Sequence, residues 1–328
     1  MGLIERRHFL IGAGALVAAQ CIRAQPAAKI RTIAFLEPGV MTTPRAQWVQ
    51  KQIPEELKRL GYEQDRNVRF EFRFAEGKNE RLPELASEFV RMNVDVIVTI
   101  DNSAALAAKR ATQAIPIVMA SSGSVVEERI VASYARPGGN VTGLDWIPAS
   151  DIVAKRYEFL KSAIPSAKRV VRLRMPTDRL EHLFGDDYLR RVTENTGFSI
   201  TTVEFKASAD LPEALQRAAI ARPDALNVAV DQSLLSQVAA FALSRKLPSI
   251  GGPGYAFAGG LLGHIPDIPA LTERIASYID RILRGVKPAE LPVEQPTKYL
   301  LVVNAKTTKA LGLTLPPSFL LQVDQTLE

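Results

Sequence analysis

The sequence predicts an α/β protein built as two lobes, each organised around a parallel sheet. Three observations predict it. Strand-like and helix-like segments alternate along the chain, which implies parallel βαβ units. The second half repeats the plan of the first. The length of 328 residues exceeds one ordinary core and suits two domains of roughly 100–200 residues each.

The elements follow in order. Ile30–Leu36 reads as a strand, and Pro44–Leu60 as a helix stopped by Gly61. Val68–Phe74 alternates apolar and charged residues, the pattern of a strand with one wet face. Glu80–Met92 is helical, and Val94–Ile100 is a β-branched run of the kind buried on both faces. Ser103–Thr112 is a helix and Ile115–Met119 a strand. In the second half Val170–Leu173 is a strand, and a helical region runs through Arg191 towards Gly197. Ser199–Phe205, Ala225–Val230 and Leu247–Ile250 are strands, separated by helices Pro212–Ala221 and Leu234–Leu243.

The halves also match in detail. Asp101-Asn102-Ser103 and Asp231-Gln232-Ser233 each follow a buried strand and open a helix. Each helix is followed by a short strand around Pro116 or Pro248. The shared acid-amide-serine turn points to two similar lobes. Open parallel sheets place ligand-binding loops at the carboxyl ends of their strands. Facing lobes would therefore bring both turns to one cleft.

Composition is that of an ordinary globular chain, with 47% hydrophobic and 23% charged residues. The N-terminus reads as a secretory signal peptide over residues 1–24. It has a charged start at Arg6-Arg7, a short apolar run from Leu10 to Ala19, and Ala24 as a small exit residue. Arg6-Arg7 followed by Phe9-Leu10 matches the twin-arginine pattern. A general secretory signal carrying two arginines fits the same residues, and both readings stand. Gln20 before Cys21 disfavours a lipid anchor. Removing the leader changes the formal charge from +6 to about +4. No basic run interleaved with aromatics occurs, so nucleic acid is not an expected partner. No apolar stretch approaches the roughly 20 residues of a membrane span.

No metal, cofactor or catalytic role is expected. Cys21 lies in the leader, and only His182 and His264 follow it, too few for a histidine metal site. No nucleophile elbow, Walker A or H-E-x-x-H pattern occurs. Gly252-Pro253-Gly254 and Arg136-Pro137-Gly138-Gly139-Asn140 read as turns.

The candidate binding residues lie on cleft loops. Asp101, Asn102, Ser103, Asp231 and Gln232 come from the paired turns. Their first role is capping, but a helix start also offers free N–H groups to a carboxylate. Ser121, Ser122 and Gly123 add hydroxyls and bare backbone. Glu37, Asp101 and Asp231 are candidates for an ammonium. Trp146 and Tyr255 are candidate stacking surfaces, with lobe packing as the competing role. His264, where a strand should end, is a candidate hydrogen-bonder of the cleft, with a plain surface residue as the competing reading.

Several segments resemble the ABC-transporter substrate-binding proteins of the type I periplasmic binding class. They are Ala75-Glu76-Gly77, Glu80–Ala86, Val94–Val98, Ala135–Gly143, Leu291–Lys298, and Thr308–Leu313 with Pro316-Pro317-Ser318. The likeness spans nearly all of the chain after the leader. It implies two Rossmann-like lobes joined by three crossings, near Leu144, Ala258 and Thr297. Lobe 1 would hold 30–144 plus 258–297, and lobe 2 would hold 145–257 plus 298–328. It also implies hinge closure on a small ligand that the resemblance does not name, and docking on an ABC permease in the inner membrane, with the protein itself periplasmic. The paired turns and the serines near them are what favour a small polar ligand, an amino acid or related carboxylate. This sequence departs from the family at cleft positions. Arg174-Met175-Pro176 stands where members often have Trp-Asn-Pro, which makes Met175 a further candidate. Ser122-Gly123-Ser124 replaces Gly-Asp-Pro, and His264-Ile265 a Tyr-Gly pair.

Three other readings use the same fold class. A transcription-factor effector domain would need a helix-turn-helix where this chain has a leader. An exported α/β enzyme would need a convergent acid, base or nucleophile set. An exported ligand sensor would present its ligand to a membrane receptor instead of a permease.

Overall fold

The computed structural model describes residues 30–42, 44–146, 150–175 and 185–328. Two sheets organise them. The first is five-stranded, in the order β2-β1-β3-β4-β5. Its strands are β1 (Arg31–Glu37), β2 (Val68–Phe74), β3 (Val96–Thr99), β4 (Ile117–Ser122) and β5 (Val141–Asp145), and all pairs are parallel. The second is seven-stranded, in the order β12-β11-β10-β9-β8-β6-β7. Its strands are β6 (Arg169–Arg174), β7 (Ser199–Glu204), β8 (Ala225–Ala229), β9 (Ser249–Gly251), β10 (Leu262–Pro266), β11 (Tyr299–Asn304) and β12 (Gln325–Leu327). Only the β10–β11 pair is antiparallel.

Side-chain alternation splits each sheet between two cores. Ile33 and Phe35 of β1 face a core built with Trp48, Leu57 and Ile275. Ala34 and Leu36 face the opposite core, with Leu85, Phe89 and Ala105. In the second sheet Val170 joins Leu160 and Val192, whereas Val171 and Leu173 join Leu211 and Val238. Both faces of the central strands are covered, which is why strands such as β3 and β4 read as nearly continuous apolar runs. β5 approaches β4 so closely that a Cβ on Gly143 would lie 2.2 Å from the Met119 carbonyl oxygen. The φ of 131° at Gly143 adds a second reason for glycine there.

Helices connect the strands. α1 (Ile53–Arg59) follows a π-helical turn at Trp48–Gln52, which interrupts the single helix expected over 44–60. α2 (Leu82–Arg91) and α3 (Asn102–Ala111) cover the other face. α4 (Ser150–Ala163), α5 (Asp186–Thr196), α6 (Leu211–Ile220) and α7 (Leu235–Ser244) flank the second sheet. α8 (Ile268–Leu283) returns to the first lobe, where Ile275, Tyr278 and Ile279 are buried.

The chain leaves lobe 1 after β5 and leaves it again between Glu294, bridged to Leu144, and β11. The second crossing was expected near Ala258 and lies instead at Asp267, between β10 and α8. Gly259-Gly260 reads as a boundary in the sequence. In the fold it is a turn that wraps Tyr255 and feeds β10 into the same sheet as β9. Residues 258–266 therefore belong to the second lobe.

Candidate functional site

The first lobe ends its strands in an unusual way. Glu37 closes β1, Thr99 closes β3, Ser122 closes β4, and Trp146 follows β5. Each holds a buried polar atom without a hydrogen-bond partner: Glu37 Oε2, Thr99 Oγ1, Ser122 Oγ and Trp146 Nε1. Buried polar atoms are almost always paired. Four unpaired ones along one sheet edge therefore mark a surface shaped for something else to bind.

Glu37 is fully buried. Its Oε1 accepts from Arg45 at 2.7 Å and from the Gly39 N–H at 3.0 Å, which leaves Oε2 free. Burial raises its pKa, and the Arg45 guanidinium partly offsets that rise. Asp101 lies close enough to add repulsion. Two acids at one strand edge favour a cationic guest.

The paired turns form as caps. Ser103 donates to Asp101 Oδ1 through its N–H at 2.6 Å and its hydroxyl at 2.7 Å. Ser233 does the same to Asp231, at 2.9 and 2.6 Å. These helix starts are also the expected docking points for a carboxylate. Each turn fills the N–H of the second helical residue and places a negative charge there, which disfavours an anion at that point. The copies differ in setting. Asp231 and Gln232 are exposed, whereas Asp101 and Asn102 are half-buried. The Asn102 amide donates to the Gly123 carbonyl at 2.6 Å and accepts its N–H at 2.9 Å. This clasp ties the loop after β4 to the start of α3. The Ser121 carbonyl accepts the Asp101 N–H at 3.0 Å. Asp101 itself has φ 92°, a conformation costly for a non-glycine residue.

Trp146 packs edge-on against Trp48, with ring centroids 5.6 Å apart. Its backbone N–H donates to the Ser122 carbonyl. Tyr255 is a correction: it is a core residue and no stacking surface. It is fully buried and donates to Ser249 Oγ at 2.9 Å. Its ring fits only because Gly251 and Gly260 lack side chains, since a Cβ on either would come within 2.5 Å of it. Met175 is half-buried against the second lobe's core. His182 lies outside the described residues.

His264 lies within β10, not at a strand end, and is buried. Phe159 packs edge-on at 5.1 Å and Tyr299 lies at 5.3 Å. Burial, reinforced by the nearby Arg156, lowers its pKa to about 4, so it is neutral at pH 7. Its Nδ1 has no partner. Arg156 was missed by sequence reasoning. It is a buried arginine on α4, and its Nε has no partner. A signal was present: Val153, Arg156, Tyr157 and Leu160 share one face by helical spacing, so Arg156 sits on the stripe that turns inwards.

Among the described residues no helix is long and apolar enough to cross a membrane. No group of three His, Cys, Asp or Glu among them is placed to hold a metal ion.

A family model described as ABC transporter substrate binding protein matches residues 40–327. A tyrosine-binding protein of Clostridioides difficile is 26% identical over 261 residues, covering 78% of this chain and 74% of the relative. A conserved domain protein of Vibrio cholerae superposes with a TM-score of 0.77 at 26% identity, covering 91% of this chain and 100% of that one. An ABC domain in complex with L-Trp from Streptococcus pneumonia superposes with a TM-score of 0.76 at 24% identity, covering 90% and 99%. A leucine-binding protein LivK of Thermotoga maritima shares the type I periplasmic binding fold more distantly, with a TM-score of 0.57 at 16% identity. The family is one of transporter binding proteins and not of enzymes. The chain belongs to the ABC transporter substrate binding protein family.

Proposed function

We propose that this protein is the periplasmic solute-binding component of an ABC importer and takes an amino acid or related carboxylate between its lobes. The observation that carries this reading is the row of unpartnered buried atoms on Glu37, Thr99, Ser122 and Trp146. They lie where a parallel sheet offers its binding edge. Glu37 and Asp101 suit the ammonium of such a ligand, Ser121 and Ser122 supply hydroxyl groups beside it, and Gly123, clasped by Asn102, holds the loop in place. The neutral His264 offers a hydrogen bond from lobe 2. The name of the tyrosine-binding relative supports an amino-acid ligand. Closure about the three crossings would then present the loaded form to a permease in the inner membrane.

Mass spectrometry of protein purified from its native host should detect a co-purifying amino acid or carboxylate in one-to-one amount. Uptake of that compound should fall when the gene is deleted. A protein that co-purifies with no such compound, and whose melting temperature none of the twenty amino acids raises, would refute the reading.

A further inference from the structure

Arg156 is the strongest unexplained feature of the second lobe. Its guanidinium is buried, its Nε has no partner, and among the described residues no carboxylate pairs with it. The charged and titratable neighbours that bear on it are Tyr188, Tyr157 and Tyr299, with no carboxylate among them. Burial accordingly pulls its pKa down. An isolated buried cation is among the costliest arrangements in a protein interior. The fold nevertheless makes room for it. A Cβ on Gly252 would lie 2.9 Å from Arg156 Nη2, so a bare backbone lets the guanidinium in.

Its position is at the mouth of the second sheet. Gly252 directly follows the carboxyl end of β9. Tyr299 opens β11 opposite Pro266, the last residue of β10. The Tyr299 hydroxyl feels both Arg156 and Asp145, the last residue of β5 in lobe 1. Arg156 therefore stands near the junction of the lobes. The other buried arginines of this lobe are engaged: Arg174 pairs with Glu204 at 3.2 Å, and Arg172 lies over the Tyr188 ring.

We propose that Arg156 receives the carboxylate of the ligand, so that the acid group docks on lobe 2 while lobe 1 takes the ammonium. This rests on the amino-acid reading given above and assigns its polarity. A guanidinium presents a planar fork of donors that matches a carboxylate. An anion seated there also supplies the missing countercharge. His264, kept neutral beside the arginine, contributes a hydrogen bond without competing for the anion.

The test compares wild type with Arg156→Met and Arg156→Lys by thermal shift and calorimetry. The probes are the twenty L-amino acids, benzoate, and the decarboxylated amines tyramine and tryptamine. A carboxylate should bind wild type, and the matching amine should not. Arg156→Met should weaken that carboxylate roughly ten- to a hundred-fold, and Arg156→Lys should recover part of the loss. The empty Arg156→Met protein should melt higher than the empty wild type, because an unpaired buried charge is gone. A structural arginine would do the opposite. A carboxylate bound equally by wild type and Arg156→Met, or an empty variant that melts lower, overturns the assignment while leaving the functional reading intact. A wild type that binds none of the carboxylates overturns the reading itself, and the assignment falls with it.

Discussion

Lys298 Nζ lies 2.8 Å from Asp267 Oδ2, and the Asp267 N–H donates to the Lys298 carbonyl at 3.0 Å. These two residues occupy the second and third crossings, so one side-chain pair and one backbone bond clasp two strands of the hinge. Both line a recess of about 190 Å³ beside Arg274 and Glu294, which form a second ion pair.

The clasp has a defined pH dependence. Its hydrogen bond from Lys298 holds the Asp267 carboxyl below its ordinary value of 3.8. The stabilisation is thus complete above that value and is lost as pH falls through the lower, folded pKa. Lys298→Met should reduce the melting temperature slightly at pH 7, because the lysine is exposed. The deficit should vanish in acid. Melting curves of both proteins across pH 2–7 measure it.

Gly143→Ala should be far more damaging. The new methyl group would meet the backbone of Met119 within 3 Å on three atoms, at a φ that alanine rarely adopts. Strain and overpacking together should cost about 2–4 kcal/mol. Urea unfolding monitored by tryptophan fluorescence gives the value.

Glu37→Gln tests the acid edge of lobe 1. Burial raises the pKa of Glu37, so its ionised form costs stability at neutral pH, a cost that fades as pH falls through the raised pKa. The empty glutamine variant should therefore melt above wild type at pH 7. The difference should close towards pH 4. Amino-acid binding at pH 7 should weaken, because the variant keeps the shape and loses the charge.

The two copies of the acid-amide-serine turn should behave differently. Asp231→Ala should cost about 1 kcal/mol as a lost cap and leave ligand affinity unchanged. Asp101→Ala should carry a similar cost and also weaken binding roughly tenfold. Its turn anchors Ser121 and, through Asn102, the loop at Gly123. Calorimetry on the two variants separates the roles.

Much of this architecture was legible in the sequence. The run Val94–Ile100 is β-branched because β3 is covered on both faces, and the alternation of Val68–Phe74 reflects the edge position of β2. The caps at Asp101 and Asp231 were legible because capping is local. What escaped depends on contacts between distant segments. β10 lies between a glycine turn and a hinge residue, and its partner β11 is more than thirty residues away. The sandwiching of Tyr255 by Gly251 and Gly260 has the same character, since an aromatic in a glycine-rich loop looks identical whether it faces a ligand or a core. Arg156 shows a third cause. Its helical spacing pointed inwards, but a charge on a helix is usually solvated, and only the packed lobe reveals that this one is not.

The exchange of segments between the lobes governs how the chain acquires its shape. Lobe 1 lacks α8 and the Leu144–Glu294 bridge until residue 294 exists, and lobe 2 lacks β11 and β12 until residue 327 follows. A nascent chain therefore carries a complete first sheet that still lacks the α8 cover on one apolar face, and later a second sheet that still lacks its last two strands. Completion of the two lobes falls within the last tenth or so of the chain, at residues 294 and 327. Neither lobe can close fully until nearly the whole chain has been made, so any factor that binds it during synthesis meets incomplete domains.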